Sequence, residues 1–212
     1  MRQWQAGGGG ARASEALGPM IQALGEDAFQ RTVLEALHPL VPAASWSVYR
    51  TGAHCRPTLF LSASRGIPDR TRECWWAYLS GPYLRDGSFG GTAEPSTPRL
   101  CHIHAQEMGG EHRARVYEAH GMAERVSVIA PEQDAVFAVN FYRHEHQAPL
   151  TDAQIAAFEI GTSALLGVAS ALVRSCLSIH GMVATAFGAK RAPIPVISCG
   201  SPSTNRAHSS SR

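Results

Sequence analysis

Apolar positions recur along this chain with two periods, and the two alternate in blocks. Leu17, Met20, Ile21 and Leu24 fall at helical spacing, and Gly25 ends that short helix. A second helix is predicted from about Asp27, with Phe29, Val33, Leu34 and Leu37 as its buried stripe and Pro39 and Pro42 closing it. The period then drops to two. Ser45-Trp46-Ser47-Val48-Tyr49 alternates polar and apolar, Thr51-Gly52-Ala53-His54 reads as a turn, and Leu59-Phe60-Leu61 lies in a second strand. A hairpin is expected there.

Pro68 and Asp69 open a third helix, whose stripe is Cys74, Trp75, Tyr78 and Leu79 and whose stop is Gly81-Pro82. Asp86 to Pro98 is rich in glycine and proline and reads as loop; Leu100 to Ile103 reads as a short strand. A helix from about Glu111 to His120 ends on Gly121 as its C-cap. Arg125 to Ala130 and Val136 to Tyr142 form the clearest hairpin, with Phe137, Val139 and Phe141 on one face of its second strand.

The last helix carries the sharpest start signal. Thr151 is its N-cap, Gln154 completes a capping box, and Leu150 and Ile155 occupy the positions of a hydrophobic staple. Ile155, Phe158, Thr162, Leu165, Ala169, Leu172 and Cys176 then recur at steps of three and four. No charge falls between Glu159 and Arg174, yet that run is shorter than the roughly 20 residues a bilayer span needs. A helix apolar on most sides needs its own sheet on one face and a second cover on the other. A homodimer through Ile155, Phe158, Leu165 and Leu172 is the expected cover.

Residues 198–212 show no periodicity. The pattern therefore predicts an α/β domain: a single antiparallel sheet flanked by helices, with a disordered C-terminal tail. Its boundaries are a flexible lead over 1–13, the domain over 14–177 and the tail over 178–212.

Charge sharpens this division. Residues 1–159 carry 14 basic and 17 acidic side chains, a balance of −3; residues 160–212 carry five basic and no acidic ones. The net +2 is thus a mildly acidic body with a sparse basic end, and a basic face for duplex DNA is not indicated. The five cysteines, Cys55, Cys74, Cys101, Cys176 and Cys199, are scattered and odd in number, which fits a reducing cytosol. The residues before Gly7 lack the apolar core of a signal peptide, so a cytoplasmic location without membrane attachment is expected.

The chemistry-bearing residues do not assemble into a catalytic pattern. Cys101, His102, His104, His112 and His120 cluster in sequence, and His144-Glu145-His146 follow the second hairpin. The chain has no HExxH, CxxC or GxSxG, and Lys190 follows glycines at the wrong spacing for a phosphate loop. His102 and His104 share a strand face without needing a metal between them. No metal, no cofactor and no catalytic residue is assigned; the alternative is a small metal- or thiol-dependent enzyme. Trp75, Trp76, Tyr78 and Tyr83 are candidate walls of a ligand pocket, although the same rings could be ordinary core. Asp86 either anchors a donor group of a ligand or sits in an exposed turn.

The order of elements, together with several local strings, resembles the N-terminal sensory domain of LuxR-type transcription regulators, a GAF- or PAS-like sandwich. The strings are Leu24-Gly25-x-Asp27-Ala28-Phe29, Arg113-x3-Tyr117-x3-Gly121-x2-Glu124-Arg125-Val126-Ser127, Asn140-Phe141-Tyr142-Arg143, and Leu150-Thr151-Asp152-Ala153-Gln154-Ile155. The likeness spans roughly residues 17–176. It implies a signal-sensing and dimerising domain with a small-molecule signal. In the family a helix-turn-helix module follows; residues 177–212 show no such helix pair, so a truncated regulator or a stand-alone sensor is expected, with DNA a partner only if the module exists in the full-length product. Trp75, Trp76, Tyr78, Tyr83 and Asp86 echo the aromatic and Asp-Pro positions of the autoinducer-binding branch. Gly87 stands where proline is expected, which argues against an acyl-homoserine lactone as the ligand.

Overall fold

The computed structural model describes residues 1–5, 11–52, 55–87, 98–132, 135–159, 166–167 and 169–170. In chain order the elements are β1 (Arg2–Gln5), α1 (Ala11–Gln22), α2 (Phe29–Leu37), β2 (Ser45–Gly52), β3 (Cys55–Ser64) and α3 (Thr71–Leu79). A short 3₁₀ turn (Pro82–Arg85) and β4 (Arg99–His104) follow. Next come α4 (Gly110–His112), continued by a π turn (Arg113–Tyr117) and a 3₁₀ turn (Glu118–His120), then β5 (Met122–Glu132) and β6 (Ala135–His144). Residues 152–159 form α5, and the described residues beyond it, 166–167 and 169–170, are also helical.

The strands make one six-stranded antiparallel sheet in the order β1–β4–β5–β6–β2–β3. Its middle is buried on both faces, because each strand alternates between two cores. On one face Val48, Val139, Val128 and Leu100 lie in register across β2, β6, β5 and β4. They pack under Met20 of α1, Val33 and Leu34 of α2, and Ile155 and Phe158 of α5. On the other face Tyr49 and Ala138 meet Trp75, Tyr78, Val116 and Tyr117 from α3 and the π turn. That two-sided burial is why Val136 to Phe141 of β6 reads as a nearly continuous apolar run, while β2 keeps its alternation with Ser45 and Ser47 buried.

Both predicted hairpins are present, β2 with β3 and β5 with β6. The capping box forms as read: the Gln154 N–H donates to Thr151 Oγ1 at 3.2 Å, and the Thr151 N–H donates to Gln154 Oε1 at 2.9 Å. Asp69 Oδ1 accepts the N–H of Thr71 at 3.0 Å at the start of α3, which begins three residues after Pro68. Gly121 takes φ 66° where the helical segment turns into β5, the left-handed conformation that suits glycine.

Three readings are corrected. The first residues are not merely a flexible lead: Arg2–Gln5 pair with β4 and form one edge of the sheet. The helix expected over 111–120 is not one regular helix but α, π and 3₁₀ windings in succession. Ile155 and Phe158 do not face outward for a partner. They are 6% and 1% exposed within this one chain, and Phe158 meets Phe141 edge-to-face with centroids 5.2 Å apart. The stripe packs on the chain's own sheet because β5 and β6 present Val126, Val128, Val139 and Phe141 to it. Leu165, Leu172 and the tail over 178–212 lie outside the described residues.

Candidate functional site

Between the second sheet face and the helices α3 and α4 lies a cavity of about 400 Å³, within the range of small-molecule sites. The sheet supplies Ser47, Tyr49, Arg125 and Tyr142 to its wall; α3 supplies Cys74, Trp75 and Tyr78. His112, Val116 and Tyr117 come from α4 and the π turn. A π winding widens the helix by one residue per turn and is frequent where a helix serves a site. Here it brings both Val116 and Tyr117 into the buried layer. Exposed Arg70, Glu118 and Glu145 border the cavity on its solvent side.

Three rings form the apolar part of the wall. Tyr49 and Trp75 lie 5.3 Å apart between centroids, Trp75 and Tyr78 5.5 Å, and Tyr49 and Tyr78 6.1 Å. Such tilted aromatic contacts each add a modest attraction beyond burial. Set into this wall are polar atoms that the described chain does not satisfy: Trp75 Nε1, the Tyr117 hydroxyl and His112 Nδ1 are buried without a hydrogen-bond partner. Buried polar groups are nearly always paired, so orphans facing a cavity mark where another molecule's polar atoms belong.

Arg125 is the charged member of the wall, 2% exposed, on the face of β5 toward the cavity. Its Nη1 donates to the Tyr49 hydroxyl at 3.5 Å. Burial raises the tyrosines around it: Tyr142 is pushed up to about 12, and Tyr49, Tyr78 and Tyr117 are raised as well. All four stay protonated and able to donate near neutral pH. Burial lowers His112, which is therefore neutral at pH 7.

No protein-family model and no curated protein sequence matches the chain; solved structures do. The VqsR LBD domain from Pseudomonas aeruginosa superposes with a TM-score of 0.50 at 20% identity, over 75% of this chain and 94% of that one. The N-acylhomoserine lactone dependent LuxR family transcription factor CepR2 from Burkholderia cenocepacia gives 0.53 at 13% identity, over 79% and 96%. The chain has the fold of LuxR-family ligand-binding domains. The likeness read from its sequence strings holds at the level of that fold.

Within this LuxR-type fold the predicted site residues separate. Trp75 and Tyr78 line the cavity, as the helical stripe of α3 implied. Trp76, the next residue, is 39% exposed and points away, because adjacent helix positions face about 100° apart. Tyr83, in the 3₁₀ turn, packs tilted against Tyr78 with centroids 6.2 Å apart, behind the wall rather than in it. Asp86 accepts a hydrogen bond from the Tyr78 hydroxyl at 3.2 Å and does not itself line the cavity. Sequence reasoning missed Tyr49, His112, Tyr117, Arg125 and Tyr142. One signal was legible: Arg125 stands next to Glu124 at the start of a strand that goes on with Val126, Val128 and Ile129.

The histidine cluster resolves into an ion-pair hub. His102 and His104 share a strand face, centroids 4.8 Å apart, and with Glu124 their ligand atoms lie within 4.8 Å of one another. Glu124, fully buried, is bonded by His102 and by Arg143 Nε, and accepts the Leu150 N–H at 3.1 Å. Burial alone would raise its carboxyl; the His102, Arg143 and Leu150 hydrogen bonds outweigh burial and hold it at about 2. A metal bound there would sit beside the Arg143 guanidinium, which disfavours a cation. The hub ties β4, β5 and β6 to the segment that starts α5. Neither Cys74, whose thiol burial raises to about 12, nor Cys101, also raised by burial, is prepared as a nucleophile.

Proposed function

We propose that this domain is the signal-sensing part of a LuxR-type transcription regulator and binds a small organic molecule in the cavity between the sheet and α3. The observation that carries this is the set of buried, unpartnered Trp75 Nε1, Tyr117 hydroxyl and His112 Nδ1 on an otherwise aromatic wall. A domain built only for its own stability fills such a space, since voids and orphaned polar groups both cost free energy. A ligand that seats there fixes α3 and the π turn against the sheet, and their position is what a following module can read.

Pairing with a second copy belongs to the same reading. Ile155 and Phe158 are committed to the chain's own core, so the surface for pairing is sought further along, at Leu165 and Leu172 in the uncharged run before Arg174. Among the described residues no helix is long and apolar enough to cross a membrane.

The test is a panel of lactones, amides and aromatic and aliphatic acids titrated into the full chain, with tryptophan emission and thermal midpoint as readouts. A true ligand at a hundred times its Kd stabilises by about 2.7 kcal/mol. Silence across the panel in both readouts counts against sensing by this cavity.

A further inference from the structure

We propose that His112 selects the ligand of this cavity, and that the ligand is a neutral molecule with an apolar body and a hydroxyl group that donates to His112 Nδ1. This rests on the ligand-sensing reading above and adds the chemical class. Three polar atoms of the wall are buried without a partner: Trp75 Nε1, the Tyr117 hydroxyl and His112 Nδ1. Their residues are 5%, 1% and 6% exposed, and all three line the cavity. The indole can only donate a hydrogen bond, whereas a tyrosine hydroxyl donates one and can also accept. Burial keeps Tyr117 protonated and His112 neutral. A neutral imidazole carries one N–H and one bare nitrogen.

The position of that proton follows from burial. A buried N–H without an acceptor is rarer and costlier than a buried lone pair without a donor. Nδ1 is buried and unpartnered and Nε2 is not, so the proton rests on Nε2. Nδ1 then shows a lone pair to the cavity, beside the Tyr117 hydroxyl; the two rings lie 5.6 Å apart between centroids. A hydroxyl group suits an acceptor that stands next to a donor, because its one oxygen donates a single hydrogen bond and accepts up to two. An ether, a ketone or an ionised carboxylate only accepts, and leaves Nδ1 bare. Arg125 and Asp86 act on each other electrostatically, so the wall calls for no charge on its occupant. The body of the ligand is set by the ring cluster Tyr49, Trp75 and Tyr78, which offers flat apolar surface to an alkyl chain or a phenyl group.

The outer side of α4 fixes where the imidazole points. Glu111, the residue before it, is exposed and is held by Arg115 at 3.0 Å and by Arg85 at 3.7 Å. Arg115 in turn donates to the Ser80 hydroxyl just past the end of α3. Neighbouring helix positions face about 100° apart, so an anchored Glu111 outside turns His112 inward. There the imidazole packs against Tyr78 on one side and Tyr117 on the other, each 5.6 Å away between ring centroids. Held by two rings, it meets a ligand with little reorganisation.

The experiment compares matched hydroxyl compounds and their methyl ethers on the full chain. Straight-chain primary alcohols from hexanol to dodecanol and para-alkylphenols from para-ethylphenol to para-heptylphenol are titrated beside the corresponding ethers. Tryptophan emission and calorimetry are the readouts. The ethers are the more apolar set and would bind tighter if burial alone decided. At least one alcohol or phenol should instead bind about tenfold or more tighter than its own ether, because a site built to pair a hydroxyl rejects the analogue that lacks the donor. His112→Phe should erase that preference while the ether keeps its affinity, and His112→Asn, which keeps an acceptor near the place of Nδ1, should restore part of it. The wild-type comparison stands even if His112→Phe does not fold. Ethers that bind as well as their alcohols, or a preference that survives His112→Phe, overturn the assignment and leave ligand sensing intact. Binding by a lactone, amide or acid with no alcohol, phenol or ether bound does the same. If none of these compounds binds, the sensing cavity falls and the hydroxyl ligand with it.

Discussion

Phe158 stacks edge-to-face on Phe141, 5.2 Å between ring centroids, at the junction of α5 and the sheet. The contact decides what the apolar stripe of the last helix does at its start. It closes the chain's own core. Phe158→Ala should therefore cost about 3–5 kcal/mol of folding stability, the range for losing a fully buried phenyl ring. Denaturant unfolding measures it. A loss below about 1 kcal/mol would mean that the helix start contributes little to the core.

The two adjacent tryptophans should behave oppositely. Trp76→Ala should change stability by no more than about 0.5 kcal/mol, as an exposed surface change does. It should also leave the ligand-induced change in tryptophan emission in place. Trp75→Phe should remove most of that change and weaken binding, because the indole N–H is lost from the cavity wall. Equal effects of the two substitutions would place the response outside the cavity.

Asp86→Ala leaves the buried Tyr78 hydroxyl without its acceptor, which should cost about 1–3 kcal/mol of stability. Asp86 bonds the hydroxyl of Tyr78, a ring of the cavity wall, without lining the cavity itself, so Asp86→Ala should weaken ligand binding in part through Tyr78, and Tyr78→Phe combined with Asp86→Ala should lose less than the sum of the two single changes. Calorimetric affinities of the three variants check this. Fully additive losses in the double variant would show that Asp86 acts on binding independently of Tyr78.

Acid should unfold the domain in two windows. Burial, with His146, Arg143 and His120 nearby, lowers His144 from 6.5 to about 4. Between those values the unfolded chain binds a proton the folded one refuses, so stability falls as pH falls from 6.5 towards 4. Glu124 has a folded value of about 2 against 4.5 ordinarily, so its contribution is present above 4.5 and is lost as pH falls towards 2. His144→Gln should make the first window shallower without abolishing it, since His38, His112 and His120 are lowered as well, and Glu124→Gln should make only the second shallower. Unfolding free energies at closely spaced pH values separate them, and a variant that changes the slope of the wrong window refutes its assignment.

Leu165→Glu together with Leu172→Glu should convert a dimer into a folded monomer in sedimentation equilibrium. A dimer that survives both charges would place the pairing surface elsewhere.

Local chemistry along the chain was enough for the order of elements from α1 onwards, both hairpins, the capping box at Thr151 and the left-handed Gly121. Each depends on neighbours within a few residues, where hydrophobic period, capping side chains and turn residues act directly. The helical stripe of α3 likewise separated Cys74, Trp75 and Tyr78 from the outside. Other decisions needed the assembled sheet. That Arg2–Gln5 complete its edge depends on β4, about a hundred residues away in the chain. That Ile155 and Phe158 serve the monomer core depends on which faces of β5 and β6 come to lie beneath α5. A stripe of apolar residues is the same string whether it meets its own sheet or a second copy, so the period alone could not choose. The cavity is the strongest case. Tyr49, Arg125 and Tyr142 stand on three different strands, and only the antiparallel register of β2, β6 and β5 sets them in one wall beside Trp75.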